Sequence, residues 1–372
     1  MNNLKKATFF THIRANDWFY SFVPLIFGHL YLWIFILQIS ISLNTLLNLF
    51  LSLVTTVGIA GLGYFINEYF DIEDDTRAKK NNKLAILGSL YRLVVLFVLL
   101  LCSIIPWLFL PTNGMTFSLL SLQCVLYIIY SVKPFRFKRV PLLSNLIDTL
   151  YAYVIPLLLS FHTFLLISPK VFSITFITCY ALLMFVVGFR NIFIHQIVDV
   201  FNDKRIGNIT LPRRIGVYKS NVFLLSCLLI EMLLFLFVIL ELMNYNEMIA
   251  LLFIPYSYIV LLGSFNFYKS ESKIFVYKPL RNFTDVIYQF WFPTVLLIIL
   301  AIQQPIWIVG LIFHISLFTS FVRFNSLFNS FYNISSQVIN HSIFYLFLIL
   351  GVNLKKERLS AIQYLKTKFD DK

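Results

Sequence analysis

Long apolar runs make up most of the chain, and short polar segments separate them. Most of the runs approach the roughly 20 residues that an α-helix needs to cross the core of a bilayer. The ten runs cover residues 22–39, 46–66, 93–110, 115–132, 146–168, 171–189, 221–243, 248–265, 287–302 and 305–322. Because a backbone surrounded by lipid must satisfy its own hydrogen bonds, each run predicts a membrane-spanning helix.

The composition agrees with an all-α polytopic membrane protein. Of 372 residues, 59% are hydrophobic and 13% are charged, whereas soluble domains contain about 45–50% apolar and about 25% charged residues. These proportions exclude an ordinary soluble domain and a disordered chain. The four cysteines lie inside apolar runs without paired spacing, which argues against a disulfide framework and a zinc site.

Basic residues are concentrated on one side of the predicted membrane. The net charge of +13 would favour a nucleic-acid partner in a soluble protein. Here the basic residues lie before the first run and after each even-numbered run, and the alternate loops contain Lys170 as their only basic residue. The positive-inside rule then places the N-terminus and the basic loops in the cytoplasm. We expect a multi-pass protein of a bacterial cytoplasmic membrane, in contact with lipid and not with nucleic acid.

The C-terminal part of the chain differs from the rest. The run 305–322 predicts one extra span, the run 343–352 is too short to cross a bilayer, and the tail from Lys355 to Lys372 is charged. We therefore expect a membrane domain at 1–302 and a C-terminal extension at 303–372.

Two short acidic clusters follow the second and the sixth apolar runs. Each consists of two aspartates preceded by another polar residue: Asn67, Asp71 and Asp75 in the first cluster, and His195, Asp199 and Asp203 in the second. A spacing of four residues places each set on one face of a helix. Like charges at that spacing repel each other unless a cation lies between them. Both clusters follow even-numbered runs, so we expect them on the same, cytoplasmic side of the membrane.

The two clusters contain the ligand chemistry of a magnesium site. Oxygen ligands without cysteine favour a hard cation, and Mg²⁺ typically binds one or two carboxylates together with substrate phosphates. The two stripes are therefore predicted to hold a diphosphate through Mg²⁺. The predicted metal ligands are Asn67, Asp71, Asp75, Asp199 and Asp203. The alternative is that these acids are solvated at helix ends.

Basic side chains in the neighbouring loops provide the fixed positive charge that a leaving diphosphate needs. The candidates are Lys133, Arg136, Lys138 and Arg214. Their alternative role is simple anchoring at the membrane surface. Tyr130, at the end of the fourth run, is a candidate for orienting the substrate, with interfacial anchoring as its alternative.

Glu231 lies inside an apolar run and supports a different class of function. An unpaired acid inside a membrane costs about 2.5–3.5 kcal/mol on insertion scales, so such residues are commonly functional. Glu231 would suit a carrier that moves cations or solutes. The sequence contains no inverted repeat or pair of broken helices that would support this alternative.

Taken together, the motifs resemble those of the UbiA superfamily of intramembrane prenyltransferases. The matching residues are Asn67-Glu68-x-x-Asp71-x-x-x-Asp75, Asp199-x-x-x-Asp203-x-x-x-Gly207-x-x-Thr210-Leu211-Pro212, Tyr130-Ser131-x-x-Pro134, and Arg14-x-x-x-Trp18 with Pro24. The resemblance covers approximately residues 10–302. The departures from the family pattern are Glu68 in place of an aspartate, His195 and Gln196 where many members have a further acid, and Lys79-Lys80 in place of an Arg-Pro pair.

The resemblance implies about nine core helices around a central cavity and assigns 1–302 to a UbiA-like prenyltransferase domain. It implies Mg²⁺-dependent transfer of a prenyl group from an allylic prenyl or polyprenyl diphosphate to a lipophilic acceptor, aromatic acceptors included. A terpene cyclase of the same superfamily would ionise the same donor without a separate acceptor. In either case the predicted ligands would hold Mg²⁺, and Lys133, Arg136 and Tyr130 would contact the substrate.

Overall fold

The computed structural model describes residues 13–77, 82–169, 173–205, 207, 209–253 and 287–318. All of these residues belong to a compact unit at Met1–Phe324, while a second unit at Asn325–Lys372 lies outside the described residues. Every regular element among the described residues is helical. This confirms the all-α class predicted from the apolar runs.

The described part of the chain contains eleven helices in sequence. They are α1 (Ala15–Leu37), α2 (Leu43–Arg77), α3 (Ser89–Ile104), α4 (Gly114–Ser131), α5 (Leu143–Ile167), α6 (Ile174–Val198), α7 (Val200–Arg205), α8 (Leu211–Ile215), α9 (Val217–Met243), α10 (Ile287–Gln303) and α11 (Trp307–Leu317). Helix α5 contains a π-helical turn at Leu150–Val154, and α10 begins with one at Ile287–Trp291. Short 3₁₀ turns lie at Ile105–Leu108, Phe137–Arg139 and Glu247–Leu252.

Seven of these helices, α1 to α6 and α9, are long and apolar enough to cross a membrane. Helices α10 and α11 are apolar but shorter. The eighth predicted span, 248–265, is described only as far as residue 253. The run 343–352 and the charged tail lie outside the described residues. The number of core helices and the division at residue 302 therefore stay predictions.

Helix α1 forms the centre of the packing and contacts α2, α5 and α10. In the most apolar stretch of its span Asp17–Leu37, 83% of the residues are buried. In the span Ser89–Leu108, which consists of α3 and the 3₁₀ turn after it, 22% are buried. A helix that is apolar on all sides is stable where protein or lipid surrounds it, so α1 is enclosed and α3 exposes apolar side chains. A polar contact fixes α1 inside the core, because Trp33 Nε1 donates a hydrogen bond to Ser160 Oγ of α5 at 2.9 Å.

Helices α2 and α3 approach each other closely because Gly58 has no side chain. A Cβ atom at Gly58 would lie 2.5 Å from the backbone nitrogen of Ser103 and 2.6 Å from the carbonyl carbon of Cys102. Near this contact, Thr55 Oγ1 donates a hydrogen bond to the carbonyl oxygen of Ser103 at 3.2 Å. Backbone atoms cannot rotate aside as a side chain can. The Gly58 contact therefore fixes the position of α2, the helix that carries the first acidic cluster.

We predict that Gly58→Ala lowers the midpoint of thermal unfolding of the detergent-purified protein. Forcing a methyl group into a tight contact typically costs about 1–3 kcal/mol. Gly114→Ala is the matched control, since a Cβ atom at Gly114 meets no atom within 4 Å. An unchanged melting temperature in Gly58→Ala would contradict the close approach of the two helices.

Candidate active site

A cavity of about 600 Å³ lies between α1, α2, α4, α5, α6 and α10. This volume falls within the range of small-molecule sites, about 300–1,000 Å³. Among its polar lining residues are Arg14, Asn67, Asp148, Asn191 and His195. The first and second acidic clusters thus contribute Asn67 and His195 to one cavity.

An apolar recess of about 50 Å³ lies farther along the same helices. Phe22 lines both spaces, and the recess continues past it along α1 to Ile26 and Leu30. On α5, Pro156 and Leu159 line the recess. The cavity and the apolar recess are thus neighbouring spaces that share Phe22 as a lining residue, and Arg14, Asn67 and His195 form the polar end of the cavity.

The last turns of α2 and the loop after α4 form a cluster of opposite charges beside Asn67, which lines the cavity, whereas Asp71, Arg136 and Lys138 are not among the lining residues. Asn67 Oδ1 accepts hydrogen bonds from Ser131 Oγ at 3.2 Å and from Lys138 Nζ at 2.8 Å. Asp71 Oδ1 accepts from Arg136 Nη2 at 2.7 Å and from Lys138 Nζ at 2.5 Å. The structure thus brings together four of the residues predicted from the sequence, namely Asn67, Asp71, Arg136 and Lys138.

Lys138 and Arg136 are well shielded from solvent. Their side chains are 13% and 7% exposed. Burial lowers the pKa of Lys138 from its ordinary value, and the neighbouring Asp71 carboxylate opposes that shift. Arg136 adopts a left-handed backbone conformation with φ 43°, which typically costs about 1–3 kcal/mol for a residue other than glycine. Its Nη2 donates to the carbonyl oxygen of Phe70 at 3.1 Å, so contacts with α2 hold this strained conformation.

The other acids near the end of α2 have separate partners. Asp74 pairs with Arg136 at 2.5 Å and also with Arg139. Asp75 Oδ2 accepts a hydrogen bond from Asn82 Nδ2 at 3.0 Å. In consequence, Asp75 lies beside the chain that follows α2, while Asp71 and Asp74 face the loop after α4.

Lys133 is placed differently from Arg136 and Lys138. Its Nζ lies 3.3 Å from Glu73 Oε2, and its side chain is 65% exposed. Of the basic residues in this loop, Lys138 and Arg136 therefore contact Asp71, and Lys133 contacts the neighbouring Glu73. Tyr130 lines the cavity directly.

Arg14 lines the α1 side of the cavity. Its Nη1 donates to Glu68 Oε1 at 2.6 Å, and its Nε donates to Asp17 Oδ2 at 2.6 Å. Burial opposes the charge of Arg14, but the hydrogen bonds to Asp17 and Glu68 outweigh it and raise the pKa above its ordinary value. Glu68, the departure from the aspartate of the first motif, thus holds an arginine at the cavity wall.

The second acidic cluster begins at the end of α6. His195 lines the cavity, and its Nδ1 lies 3.1 Å from Asp199 Oδ2. Asp203 belongs to the short helix α7, and Arg213 Nη1 donates to its carbonyl oxygen at 3.1 Å. Arg214 is exposed on α8.

His195 and Gln196 replace an acid of the family pattern and have different surroundings. Gln196 is buried and donates from Nε2 to Asn145 Oδ1 of α5 at 3.0 Å. His195 faces the cavity. Of the two replacements, His195 is therefore the one that a bound molecule would contact.

The donor chemistry of these residues fits Mg²⁺. In the described ranges, no three His, Cys, Asp or Glu side chains converge to form a metal site by themselves. However, all described contacts of Asp71 go to Oδ1 and that of Asp75 goes to Oδ2, which leaves the second oxygen of each carboxylate for a cation. Mg²⁺ commonly takes one or two carboxylates and completes its shell with water and substrate phosphates. An open set of oxygen donors beside a cavity suits that mode of binding.

A buried ion pair between α6 and α9 was not predicted from the sequence. Arg190 and Glu231 are fully buried, and the Nε–Oε2 and Nη2–Oε1 distances are 2.6 and 3.3 Å. Arg190 Nη1 donates to Asn191 Oδ1 at 2.8 Å, and Asn191 Nδ2 donates to Tyr153 OH at 3.1 Å. Both Asn191 and Tyr153 line the cavity. Glu231 is therefore part of a network that supports the cavity wall. The carrier alternative depended on Glu231 as an unpaired acid within a span, and its pairing with Arg190 removes that support.

The fold and the cavity define a membrane-type helical bundle in which acidic and basic side chains meet an apolar chamber. The chain belongs to the UbiA prenyltransferase family, whose model matches residues 21–280. It is an intramembrane enzyme of the prenyltransferase class and a multi-pass membrane protein, as the sequence resemblance predicted. None of the curated proteins matches the chain.

Several solved structures share the fold. A UbiA homolog from Archaeoglobus fulgidus bound to GPP and Mg²⁺ is 16% identical, with 77% of this chain and 97% of that chain covered and a TM-score of 0.56. The homolog bound to DMAPP and Mg²⁺ gives 16% identity, the same 77% and 97% coverage, and a TM-score of 0.57. A structure of digeranylgeranylglyceryl phosphate synthase gives 18% identity, 77% and 97% coverage, and a TM-score of 0.55. At these identities the likeness establishes the fold.

We predict that Glu231→Leu strongly destabilises the protein, whereas the double variant Arg190→Met/Glu231→Leu is closer to wild type. Removal of one partner leaves a buried charge without compensation, which typically costs about 3–5 kcal/mol, while replacement of both removes that penalty. Thermal unfolding of the wild type, both single variants and the double variant in one detergent measures the difference. Equal destabilisation by the single and double changes would contradict the pairing.

Proposed function

We propose that this protein is an Mg²⁺-dependent intramembrane prenyltransferase that moves a prenyl group from an allylic prenyl or polyprenyl diphosphate to a lipophilic acceptor. The observation that carries the proposal is the polarity of the cavity. Asn67 lines its polar end next to the charged cluster of Asp71, Arg136 and Lys138, and an apolar recess adjoins the cavity at Phe22. A molecule with a charged diphosphate head and a hydrocarbon tail matches this pairing of charged and apolar surroundings.

The structural neighbours support the same donor class. The Archaeoglobus fulgidus homolog was solved with GPP and Mg²⁺ and with DMAPP and Mg²⁺. This chain shares their fold over most of its length. The proposal extends their type of ligand to the polar end of the cavity described above.

The metal would be held by the oxygen donors of the two acidic clusters. The proposed ligands are Asn67, Asp71, Asp75, Asp199 and Asp203. When bound, Mg²⁺ supplies positive charge that neutralises the diphosphate as it leaves. The donor atoms available on α2 after internal pairing are the free carboxylate oxygens of Asp71 and Asp75.

The basic side chains of the loop after α4 would bind the diphosphate. Lys138 contacts Asn67 and Asp71, and Arg136 contacts Asp71; from these positions they would donate charge-assisted hydrogen bonds to phosphate oxygens. Lys133 and the exposed Arg214 would approach the same group from the loops. Because Arg136 and Lys138 are held by α2 before substrate arrives, little reorganisation is needed when charge develops on the leaving group.

The aromatic wall would protect the allylic cation from water. Tyr127, Tyr130, Tyr151 and Trp18 line the cavity. Their faces carry negative partial charge and attract a cation. In this arrangement Tyr130 would orient the prenyl chain beside the diphosphate.

The positive-inside pattern supports a cytoplasmic position for the N-terminus and the diphosphate end. The acidic clusters and the basic loop then lie where a donor enters from the cytoplasmic face of the lipid. The hydrocarbon tail would extend toward the middle of the bilayer.

We predict that Asp71→Asn reduces diphosphate release from geranyl diphosphate by at least about 100-fold, because Asp71 would hold the Mg²⁺ that neutralises the leaving group and loss of one such electrostatic contribution typically costs that much. Glu73→Gln is the matched control, since Glu73 lies on the same helix turn but is 58% exposed and pairs with Arg77 and Lys133. Phosphate released after pyrophosphatase treatment measures the rate. Near-normal release by Asp71→Asn at saturating Mg²⁺ would count against the proposed site.

We also predict that EDTA abolishes diphosphate release and that Mg²⁺ restores it, because the carboxylates need a bridging cation to hold a diphosphate. Release is measured with a panel of allylic diphosphates, and the organic products are identified by mass spectrometry. A prenylated acceptor supports the transferase. A cyclised hydrocarbon formed without acceptor would instead identify a terpene cyclase, and release that is insensitive to EDTA would contradict the metal requirement.

A further inference from the structure

Asp148 lies on the cavity wall and belongs to neither acidic cluster. It is half-buried in the first part of α5, inside the span Leu143–Ile167. Among the described residues, no lysine or arginine forms an ion pair with it. An acid within a span is costly, and it is commonly functional where it faces a cavity. Asp148 thus needs an explanation that ion pairing does not provide.

A tyrosine holds one oxygen of the Asp148 carboxylate. Tyr151 OH donates a hydrogen bond to Asp148 Oδ1. The Tyr151 ring packs against Tyr127 and Tyr130, with ring centroids 4.4 and 5.5 Å away. Its carbonyl oxygen accepts a hydrogen bond from Gln123 Nε2 at 2.8 Å. Within the described ranges no other group bonds to the carboxylate, which leaves Oδ2 available to a molecule in the cavity.

The π-helical turn Leu150–Val154 of α5 begins two residues after Asp148. Asp148, Tyr151 and Tyr153 all line the cavity on either side of the start of this turn. Gly188 of α6 allows the turn to pack closely, since a Cβ atom there would lie 2.6 Å from the Tyr153 ring. Single π turns inside α-helices occur often at functional sites. Here the turn places a carboxylate and its tyrosine partner at one wall.

We propose that Asp148 is the general base that accepts a proton from a hydroxyl group of the acceptor. This inference rests on the proposed prenyl transfer and deepens it, because it identifies the acceptor as a lipophilic hydroxyl compound. The O–H bond of the acceptor breaks, and its proton passes to Asp148 Oδ2. The acceptor oxygen keeps the electrons of the broken O–H bond, and an electron pair of this acceptor oxygen forms the new bond to C1 of the prenyl group. The bond between C1 and the diphosphate oxygen breaks, and its electron pair leaves with the diphosphate.

The surroundings of Asp148 suit this role better than those of Asp71. The Asp71 carboxylate contacts two cations, Arg136 and Lys138, and so belongs to the charged cluster proposed to bind metal and diphosphate. The Asp148 carboxylate instead accepts its hydrogen bond from the hydroxyl group of Tyr151. The aromatic rings beside it offer a lipophilic surface to the acceptor. A base on α5 and the cations of the loop after α4 would thus serve the acceptor and the leaving group separately.

The test compares two reactions in the full-length, detergent-purified protein. The first is Mg²⁺-dependent diphosphate release from geranyl diphosphate without acceptor. The second is prenylation of 4-decylphenol and dodecan-1-ol, with their methyl ethers as probes that lack the proton. The variants are Asp148→Asn, Asp148→Glu and Tyr151→Phe, and the melting temperature of each verifies folding.

We expect Asp148→Asn to keep diphosphate release close to that of wild type while prenylation of the hydroxyl probes falls at least about 100-fold, the typical contribution of a general base. Asp148→Glu should restore part of the prenylation because it keeps a carboxylate. Tyr151→Phe should lower prenylation less than Asp148→Asn because it removes only the hydrogen bond that orients Asp148. The methyl ethers should not be prenylated by any variant.

Parallel loss of release and prenylation in Asp148→Asn would overturn the assignment of a base. Diphosphate release by wild type without prenylation of either hydroxyl probe would overturn the acceptor class and leave the donor chemistry intact. Absence of release by wild type would count against the proposed function itself. Failure of the inference and failure of the proposed function are therefore distinguishable.

Discussion

Charge neutralisation beside an apolar cavity is the constraint on which the rest of the structure depends. A charge removed from water costs several kcal/mol unless a partner of opposite sign lies next to it. The loop after α4 therefore folds back onto α2, where Arg136 and Lys138 reach Asp71. The same rule pairs Arg190 with Glu231 deep between α6 and α9. The helices supply apolar surface, and these pairs determine where their polar ends meet.

The pairs beside Asn67 also suit the proposed binding of an anion. In the proposed reaction, the cations that pair with Asp71 would already be in position when a diphosphate arrives with its metal. The left-handed backbone conformation of Arg136 is stabilised by its ion pairs with Asp71 and Asp74 and by its hydrogen bond to the carbonyl oxygen of Phe70. An arrangement of this kind is preorganised, because the cost of orienting the charged groups is met during folding and not during reaction.

Sequence reasoning predicted the features that depend on regular spacing. Bilayer thickness fixes the length of a span, so the apolar runs located α1 to α6 and α9. Helical periodicity likewise placed Asn67 and Asp71 on one face, where Lys138 contacts both. Loop conformation has no such period, so Lys133 and Lys138 were equivalent candidates until the fold paired Lys133 with Glu73. Arg190 directly follows the sixth apolar run, and Glu231 lies within the seventh. Hydropathy gives no information on which side chains of two helices meet, so their pairing was not predicted.

Asp148 and Asp71 show that residue type alone does not determine a role in this cavity. Both are aspartates near the ends of predicted spans, but one contacts two cations and the other contacts a tyrosine. A carboxylate beside two cations suits the binding of metal and diphosphate, because the cations are in place for phosphate oxygens. A carboxylate beside aromatic rings and one tyrosine hydroxyl suits contact with a lipophilic molecule. Spacing marked Asp71 as part of an acidic motif, whereas the π turn next to Asp148 has no signature in the hydropathy of α5, so the place of Asp148 on the cavity wall became evident only in the fold.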